Sequence, residues 1–402
     1  MKTLAGTLWA QLPRDLLQSL LDDLIRAGGE NPPGDECAGA AVGVSWLEKL
    51  GYREIEVHEP SPARRSVTAV YCGPGGPGRR LLFNGHLDVV PTGDPAHWTY
   101  PPLELTVRDG KAFGRGVADM KGAMSAFLLV PHMLTAAGVK WRGRFQVQLA
   151  ADEEALMVWG TKYLAERVGF VADAAIIGEP THLRVAVAEK GLVHFRLLIK
   201  GKSAHAARPD LGVNAIERGA KAVLAIQGIK SEATHPILGS GSVSTGLIRG
   251  GTSCNTVPGQ CEIEVDRRLV PGEDLRVAEA GMRRAITEAI GAEGWELGVV
   301  YQIDPAEVPA DCEVALLARR VVKEVLPLLM GADEGPTAGL DEPTGLQGCT
   351  DAVFLINQAQ IPTVLWGPGG LEVAHTVDES VPLVELERAA VLYACFASRF
   401  LA

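Results

Sequence analysis

The spacing of apolar residues divides the beginning of the chain into two helices and three short strands. Leucine and isoleucine recur three and four positions apart between residues 13 and 27, which indicates an amphipathic helix that begins near Pro13 and ends at Gly28. A second helical stretch runs to about Leu50 and ends at Gly51. The next apolar runs are short and bounded by Gly and Pro, and they predict strands at 55–58, 67–71 and 81–83.

Strands and helices then alternate, which is the pattern of an α/β sheet. Asp109-Gly110 between two short apolar runs predicts a β-hairpin, and a helix predicted from about 120 to 137 contains Pro131, which should kink it. Because ligands of such sheets gather along one edge, acidic residues at the strand ends should lie together. The other elements predicted for this sheet are strands at 145–150, 174–177 and 363–366 and helices at 312–329 and 383–401.

A stretch with its own pattern interrupts this alternation. Its strands and helices are predicted at 193–199, 213–226, 243–248, 261–267 and 275–290, followed by a last strand. The order β-α-β-β-α-β is that of a ferredoxin-like α+β unit, so we expect an inserted second domain. The predicted boundaries are 1–182 for the first part of the sheet domain, 183–297 for the insertion and 298–402 for the second part.

Composition narrows the classes of function. A chain of 402 residues is long enough for two domains with sizeable cores. The 38 basic and 49 acidic residues give a net charge of −11 without a Lys/Arg-rich run, so nucleic acid is not expected as a partner. No apolar run has membrane-spanning length, and the first residues do not form a signal peptide pattern. The seven scattered cysteines predict reduced thiols in the cytoplasm.

Candidate chemistry starts at the sequence NGHLDVVP, residues 84–91. In a strand, residues two positions apart share a face, so His86 and Asp88 should point the same way. A metal-binding histidine usually donates its second ring N–H to an oxygen, and Asp88 stands where it could accept that hydrogen bond. A histidine on a buried strand is, however, more often an ordinary core residue, so this stretch needs support from elsewhere.

Four further clusters supply that support. Each offers Asp, Glu or His, mostly among glycines: GRGVADMKG (114–122), ADEE (151–154), GEPT (178–181) and GPGGLEVAHTVDE (367–379). Zinc accepts histidine nitrogen and carboxylate oxygen together, and two ions about 3.5 to 4 Å apart can activate a water molecule between them. The five clusters therefore predict a metal site.

These motifs, in this order, resemble the metal-dependent amino-acid deacylase and exopeptidase family, which contains acetylornithine deacetylase, succinyl-diaminopimelate desuccinylase, aminoacylase and carboxypeptidase G. The resemblance covers nearly the whole chain, including GKSAHAARP (201–209) and the segment 249–268. It implies an α/β fold, with a mixed-sheet, zinc-exopeptidase-like catalytic domain and an inserted α+β ferredoxin-like dimerisation or lid domain.

The resemblance also implies a set of metal ligands. Two divalent cations per subunit, zinc or cobalt, would be held one by His86 and Glu179 and the other by Glu154 and His375, with Asp119 bridging both. A cis peptide bond is implied after Asp119. Aminopeptidase relatives prefer Asp at the position of Glu179. The Glu in this chain therefore favours deacylase or carboxypeptidase activity.

Catalytic roles follow from the same resemblance. Glu153 would be the general base that takes a proton from water and returns it to the leaving nitrogen, and Asp88 would orient His86. His205 would donate a hydrogen bond to the developing oxyanion in the site of the partner subunit of a homodimer. The alternative for His205 is a surface histidine in a turn.

Four residues are candidates for substrate binding: Asn255, Arg268, Gly348 and Thr350. The fork of Arg268 suits a free carboxylate, but a structural ion pair with Asp266 or Glu264 is about equally expected. Gly348 and Thr350 lie in a loop before a helix, where backbone N–H groups can receive a carboxylate; the alternative is a structural turn.

The sequence therefore predicts a cytoplasmic, homodimeric metallohydrolase that cleaves the amide bond of an N-acyl amino acid. The alternative within the family is a dipeptidase or carboxypeptidase. From a different class, a non-catalytic metal-binding module that recognises amino-acid derivatives would be expected to lack the base, and Glu153 is present. The acyl group and the amino acid of the substrate depend on pocket shape and are left open.

Overall fold

A computed structural model describes residues 2–231, 233–331 and 339–402. The chain forms two compact units, the first comprising Met1–Val187, Val308–Thr344 and Thr350–Ala402 and the second comprising Ala188–Glu307 and Gly345–Cys349. The second unit ends later than the predicted boundary at residue 297 because a strand that begins at Trp295 continues to Ile303, paired with its neighbour along that length.

The α-helices of the described residues are Lys2–Ala10 (α1), Arg14–Arg26 (α2), Cys37–Lys49 (α3), Lys121–Leu128 (α4), Val130–Ala136 (α5), Thr161–Tyr163 (α6), Ala215–Gln227 (α7), Leu275–Ile290 (α8), Glu313–Leu329 (α9) and Leu383–Phe400 (α10). The helix predicted from about 120 to 137 with a kink at Pro131 is interrupted near that residue, since α4 ends at Leu128 and α5 begins at Val130. Helix α1 was not predicted from the apolar pattern.

The strands of the described residues are Arg53–Ser61 (β1), Arg64–Cys72 (β2), Arg80–His86 (β3), Thr106–Arg108 (β4), Lys111–Phe113 (β5), Arg144–Ala150 (β6), Ala174–Ile177 (β7), Ala186–Glu189 (β8), Gly191–Lys200 (β9), Thr234–His235 (β10), Gly239–Ser240 (β11), Ser242–Gly250 (β12), Gln260–Leu269 (β13), Trp295–Ile303 (β14), Ala306–Glu307 (β15), Thr344–Leu346 (β16), Thr363–Leu365 (β17) and Ser380–Pro382 (β18). The hairpin predicted at Asp109-Gly110 joins β4 to β5, and both turn residues have positive φ, as a two-residue turn of this kind requires.

The main sheet of the first unit is mixed, and six of its strands lie in the order β1-β2-β6-β3-β7-β17, with β8 antiparallel beside β17. Strands β6, β3, β7 and β17 are parallel to one another, whereas β2 is antiparallel to β6 and β1 is antiparallel to β2. Parallel strands end at the same edge of a sheet, so the segments that follow these four strands emerge side by side. This edge determines which side chains meet.

An aromatic cluster fills the space between this sheet and its helices. The ring of Phe83 on β3 lies 5.0 Å from that of Phe145 on β6, 5.5 Å from that of Phe127 on α4 and 5.1 Å from that of Tyr393 on α10, between centroids. All four side chains are fully buried. Packing of these rings stabilises the position of β3, whose last residue is His86 at the sheet edge.

The second unit has the predicted ferredoxin-like order β9-α7-β12-β13-α8-β14. Its four antiparallel strands lie in the order β12-β13-β9-β14. Helices α7 and α8 pack on this sheet through a core that includes Phe195, Ile226, Ile263 and Ile286. Helix α7 begins one residue after Asn214, whose side chain accepts hydrogen bonds from the N–H groups of Ile216 and Glu217.

Two further observations concern predicted properties. Across the described part of the chain, the helices are all too short or too polar to cross a membrane. The seven cysteines are free thiols.

Candidate metal centre

The carboxyl edge of the parallel strands carries most of the predicted ligands. His86 is the last residue of β3, Glu153 and Glu154 follow β6, and Glu179 follows β7. The segments that follow β7 and β17 stay in close contact. A Cβ atom added to Gly367, just after β17, would lie only 2.1 Å from the carbonyl oxygen of Gly178, just after β7. Two ligands come from loops: His375 lies in the loop after β17 and Asp119 in the loop before α4.

Two groups of side chains suited to a metal ion meet here, and they share Asp119. In the first group, His86, Asp119 and Glu179 each present one ligand atom, all within 4.8 Å of one another. Nε2 of His86 lies 3.0 Å from Oδ1 of Asp119 and 4.0 Å from Oε1 of Glu179. All three residues are buried.

The second group consists of Asp119, Glu154 and His375, with ligand atoms again within 4.8 Å. Nε2 of His375 lies 3.0 Å from Oε2 of Glu154 and 3.5 Å from Oδ2 of Asp119. Asp119 therefore directs one carboxylate oxygen to each group, which is the arrangement of a carboxylate that bridges two cations. The peptide bond between Asp119 and Met120 is cis.

The donor set fits two divalent cations. Four carboxylates, those of Asp119, Glu153, Glu154 and Glu179, are largely withdrawn from water here, which is unfavourable unless positive charge accompanies them. Burial, together with the charge of Asp119, raises the pKa of Glu179 well above its ordinary value. Oε1 of Glu179 is also buried without a hydrogen-bond partner among the described residues. A cation beside it would satisfy that oxygen.

The two imidazoles respond to the same surplus of negative charge. Burial alone would lower the pKa of His86, but the hydrogen bond to Asp119 and the charge of Glu153 raise it well above its ordinary value. Hydrogen bonds to Asp119 and Glu154 raise the pKa of His375 to about 10. Burial would raise the pKa of Asp119, but its hydrogen bonds with His375 and His86 hold it well below its ordinary value.

Glu153 lies beside the first group without belonging to either. Its Oε2 is 4.0 Å from Nε2 of His86, whereas the carboxylate of the neighbouring Glu154 contacts Nε2 of His375. The side chains of the two adjacent glutamates therefore lie beside different ligand groups. Burial raises the pKa of Glu153 well above its ordinary value; the charge of His86 opposes this, and that of Glu179 adds to it. This carboxylate is available to hold a proton.

The prediction that the Asp88 side chain accepts the second ring N–H of His86 is wrong. Nδ1 of His86 lies 2.8 Å from the backbone carbonyl oxygen of Asp88 and 3.8 Å from its carboxylate. Strand β3 ends at His86, so the same-face rule no longer applies two residues later. The Asp88 carboxylate instead accepts the backbone N–H groups of Glu153 at 3.2 Å and Glu154 at 3.0 Å.

Glu379 holds the loop that carries Asp119 and was not singled out from the sequence. One of its carboxylate oxygens accepts the N–H groups of Ala118 and Asp119, at 2.8 and 3.1 Å. The other accepts the N–H of Gly116 at 3.0 Å and a guanidinium N–H of Arg115 at 2.8 Å. The sequence did contain a signal for this residue, because Glu379 is the last residue of the motif AHTVDE, which also contains the proposed ligand His375.

A second acidic residue was also missed. Asp351 is buried, and its carboxylate accepts a hydrogen bond of 2.6 Å from the hydroxyl of Thr161, which in turn receives a hydrogen bond from Asn84 on β3. Burial raises the pKa of Asp351 to about 7, although the bond from Thr161 acts in the opposite direction. Its sequence signal is its place in the loop GCTD, next to the predicted Gly348 and Thr350.

The remaining predicted site residues divide between the units. Thr350 belongs to the first unit, as do the five predicted ligands, whereas His205, Asn255, Arg268 and Gly348 belong to the second. Arg268 forms an ion pair with Asp266, between Nε and Oδ1 at 3.1 Å, which is one of the two structural pairings considered for it.

The other three residues of the second unit lie in loops. His205 is exposed, and its Nδ1 accepts the N–H of Ala207 at 3.0 Å. The exposed Asn255 accepts a hydrogen bond from Ser253 Oγ at 2.6 Å. The carbonyl of Gly348 accepts the N–H of Lys190. In the first unit, Thr350 is buried and its Oγ accepts the N–H of Ala352.

The chain is similar to known proteins over most of its length. Residues 82–399 match the model of peptidase family M20/M25/M40. Acetylornithine deacetylase of Vibrio campbellii is 32% identical over 369 residues, which cover 87% of this chain and 90% of that protein.

Solved structures share the fold at lower identity. An M20 family metallo-carboxypeptidase from Sulfolobus solfataricus has a TM-score of 0.77 at 17% identity, covering 96% of this chain and 99% of that one. Aminopeptidase PepT from Bacillus cereus has a TM-score of 0.75 at 20% identity, covering 97% of this chain and 99% of that one. With a family model that matches most of its length, this chain belongs to the peptidase family M20/M25/M40 and is a metallohydrolase.

Proposed function

We propose that the protein is an N-acyl amino acid deacylase, in which two zinc or cobalt ions are held by His86, Asp119, Glu154, Glu179 and His375. The observation that carries this proposal is the pair of ligand groups joined by Asp119, with Glu153 beside them as a free carboxylate. Two bound cations would supply a water of lowered pKa and polarise the amide carbonyl.

Glu153 then performs the proton transfers. It takes a proton from the attacking water and returns it to the nitrogen of the leaving amine. The same carboxylate therefore acts first as base and then as acid. Since the backbone N–H of Glu153 is bound by Asp88, the proposed base has a defined position.

The substrate class follows from the relatives. Those of about 30% identity over most of the chain are named acetylornithine deacetylase, so an N-acetylated or otherwise N-acylated amino acid is the first candidate. We also propose that Asn255, Arg268, Gly348 and Thr350 contact this substrate. The free thiols of all seven cysteines support a cytoplasmic location.

A hydrolysis screen tests the function. The purified protein, loaded separately with zinc and with cobalt, is offered N-acetyl and N-succinyl amino acids, N-acetylornithine and a panel of dipeptides, and the released amine is measured. We expect cleavage of at least one N-acyl amino acid, abolished by a chelator and restored by metal. Preferred cleavage of dipeptides would replace the deacylase proposal by the peptidase alternative, and no metal-dependent cleavage would refute both.

We further propose a homodimer in which His205 donates a hydrogen bond to the oxyanion in the partner's site. Removing an oxyanion donor typically lowers kcat by about 10²- to 10³-fold, so we expect a loss of this size for His205→Ala. Mixed dimers provide the sharper test. A dimer of one His205→Ala and one Glu153→Ala subunit has one complete site only if the histidine acts across the interface.

The measurement is the activity after the two inactive variants are unfolded, mixed and refolded together. Random pairing makes half of the dimers mixed, each with one working site of two, so about a quarter of the wild-type activity should return. Each variant refolded alone is the control. Activity that stays at the level of the separate variants would show that His205 does not act in the partner's site.

A further inference from the structure

A buried amide lies behind the metal centre, between two carboxylates. Nδ2 of Asn31 donates to Oδ2 of Asp88 at 2.8 Å and to Oδ1 of Asp152 at 3.2 Å. Asn31 is 1% exposed and both aspartates are fully buried. The backbone N–H of Asn31 also donates to the carbonyl of Val89, so the loop is attached beside Asp88.

Arg64 determines which way this amide faces. Its Nη2 donates to Oδ1 of Asn31 at 3.2 Å, and because arginine only donates, the oxygen of Asn31 must face Arg64 and the NH2 group must face the carboxylates. The other guanidinium nitrogen, Nη1, donates to Oε1 of the fully buried Glu36 at 2.7 Å. Charge and hydrogen bonding therefore both fix the Asn31 side chain.

The backbone around Arg64 makes room for its guanidinium. A side chain on Gly34 would place its Cβ 1.7 Å from Nη1 of Arg64. Nη2 of Arg64 also donates to the carbonyl oxygen of Pro33 at 3.0 Å. The loop 31–36 is thus shaped around this one cation.

Asp88 links this network to the centre. Its two carboxylate oxygens accept the N–H groups of Glu153 and Glu154, the proposed base and a proposed ligand. A carboxylate that accepts two backbone N–H groups fixes the backbone from which both glutamate side chains extend, provided that it is itself held in place. Asn31 contributes to holding it, because its Nδ2 donates to Oδ2 of Asp88, the oxygen that also accepts the N–H of Glu154.

We propose that Asn31, Arg64 and Glu36 form a positioning network that acts through Asp88 on the orientation of Glu153 and Glu154. The inference rests on the proposed function, since it assigns the network to that same site. These three residues precede the span 82–399 that matches the family model, whereas Asp88 and Asp152, to which Asn31 donates, lie within it.

Asn31→Leu removes both donors but keeps the number of side-chain heavy atoms, and Arg64→Lys keeps the charge but loses the fork. Loss of an outer partner of a metal site typically lowers activity or metal affinity by about 10- to 100-fold, and we expect such a fall in kcat for Asn31→Leu, with KM within about 3-fold of wild type. Arg64→Lys should lie between this variant and the wild type. The visible absorption spectrum of the cobalt-loaded Asn31→Leu protein should also differ from that of the wild type, because Glu154 is a proposed ligand.

The matched control is Tyr52→Phe, which removes a buried hydrogen bond of 3.0 Å to the carbonyl of Leu128 in the same unit. It should lower the Tm but leave kcat and the cobalt spectrum unchanged. If Asn31→Leu and Arg64→Lys behave like this control, the network is only structural and the proposal is overturned. If Asn31→Leu does not fold, the kinetics and cobalt spectrum of Arg64→Lys decide the question.

Failure of the proposed function can be distinguished from failure of the positioning network. If the wild type cleaves no N-acyl amino acid, the proposed function fails, whereas the cobalt spectra still test the positioning role.

Discussion

Glu153→Gln is expected to lower kcat by about 10²- to 10⁴-fold, the range that a general acid-base group typically contributes. The amide has the shape of the carboxylate but cannot take a proton from water. Because Glu153 lies in neither ligand group and is 4.0 Å from His86, the variant should still bind two cations and bind substrate with a similar KM. The measurements are steady-state kinetics and metal content of the same preparation.

The control for this change is Glu48→Gln, the same substitution at an exposed position of helix α3, which should leave kcat unchanged. A Glu153→Gln protein that retains wild-type kcat with full metal content would remove Glu153 from the mechanism. If the variant loses its metal as well, Glu153 would have to be assigned to the ligands, and the base would have to be sought elsewhere.

Asp119→Asn should have a comparably large effect through a different cause. The two carboxylate oxygens of Asp119 face the two ligand groups separately, one 3.0 Å from His86 and the other 3.5 Å from His375. An amide has a single acceptor oxygen, and its NH2 group cannot bind a cation, so the variant can serve only one group. We expect the metal content to fall from about two to about one ion per subunit or less, with a loss of kcat of at least about 10³-fold, several kcal/mol of Lewis-acid stabilisation.

Elemental analysis after dialysis measures the metal content, and the rise in Tm on adding zinc gives an independent measure of binding. Asp109→Asn is the control, because Asp109 lies in the exposed β4-β5 turn at positive φ, which asparagine tolerates. It should keep both the metal content and the activity. Two tightly bound ions in Asp119→Asn would contradict a bridging role.

Most of the secondary structure could be predicted from the chain alone because it depends on local signals. Helix α2 is observed where residues 13–27 show helical periodicity, and β4 and β5 form the hairpin predicted at Asp109-Gly110. The helix predicted to kink at Pro131 is interrupted near that residue. The ferredoxin-like order of the insertion was also predicted and is observed. Its upper boundary differs by about ten residues, since strand pairing between β14 and β9 continues past the predicted junction.

The candidate ligands could be found for a related reason. His86, Glu154, Glu179 and His375 stand in short motifs at or after strand ends, and parallel strands bring such ends to one edge. The motif order then indicated the family, which the family model confirms. Strand ends predicted that acidic residues gather at one edge, and the family resemblance implied which residues are the ligands.

The amino-acid sequence was thus enough to predict most of the elements, the family and, through the family motifs, the side chains that gather at the sheet edge. How these side chains are held became visible only in the folded chain: Asp88 binds the backbone of Glu153 rather than the His86 ring, and Glu379 fixes the Asp119 loop. This is because periodicity and motifs report on neighbours along the chain. Hydrogen bonds such as that from Asn31 to Asp88 join positions 57 residues apart, and they exist only once the backbone has folded.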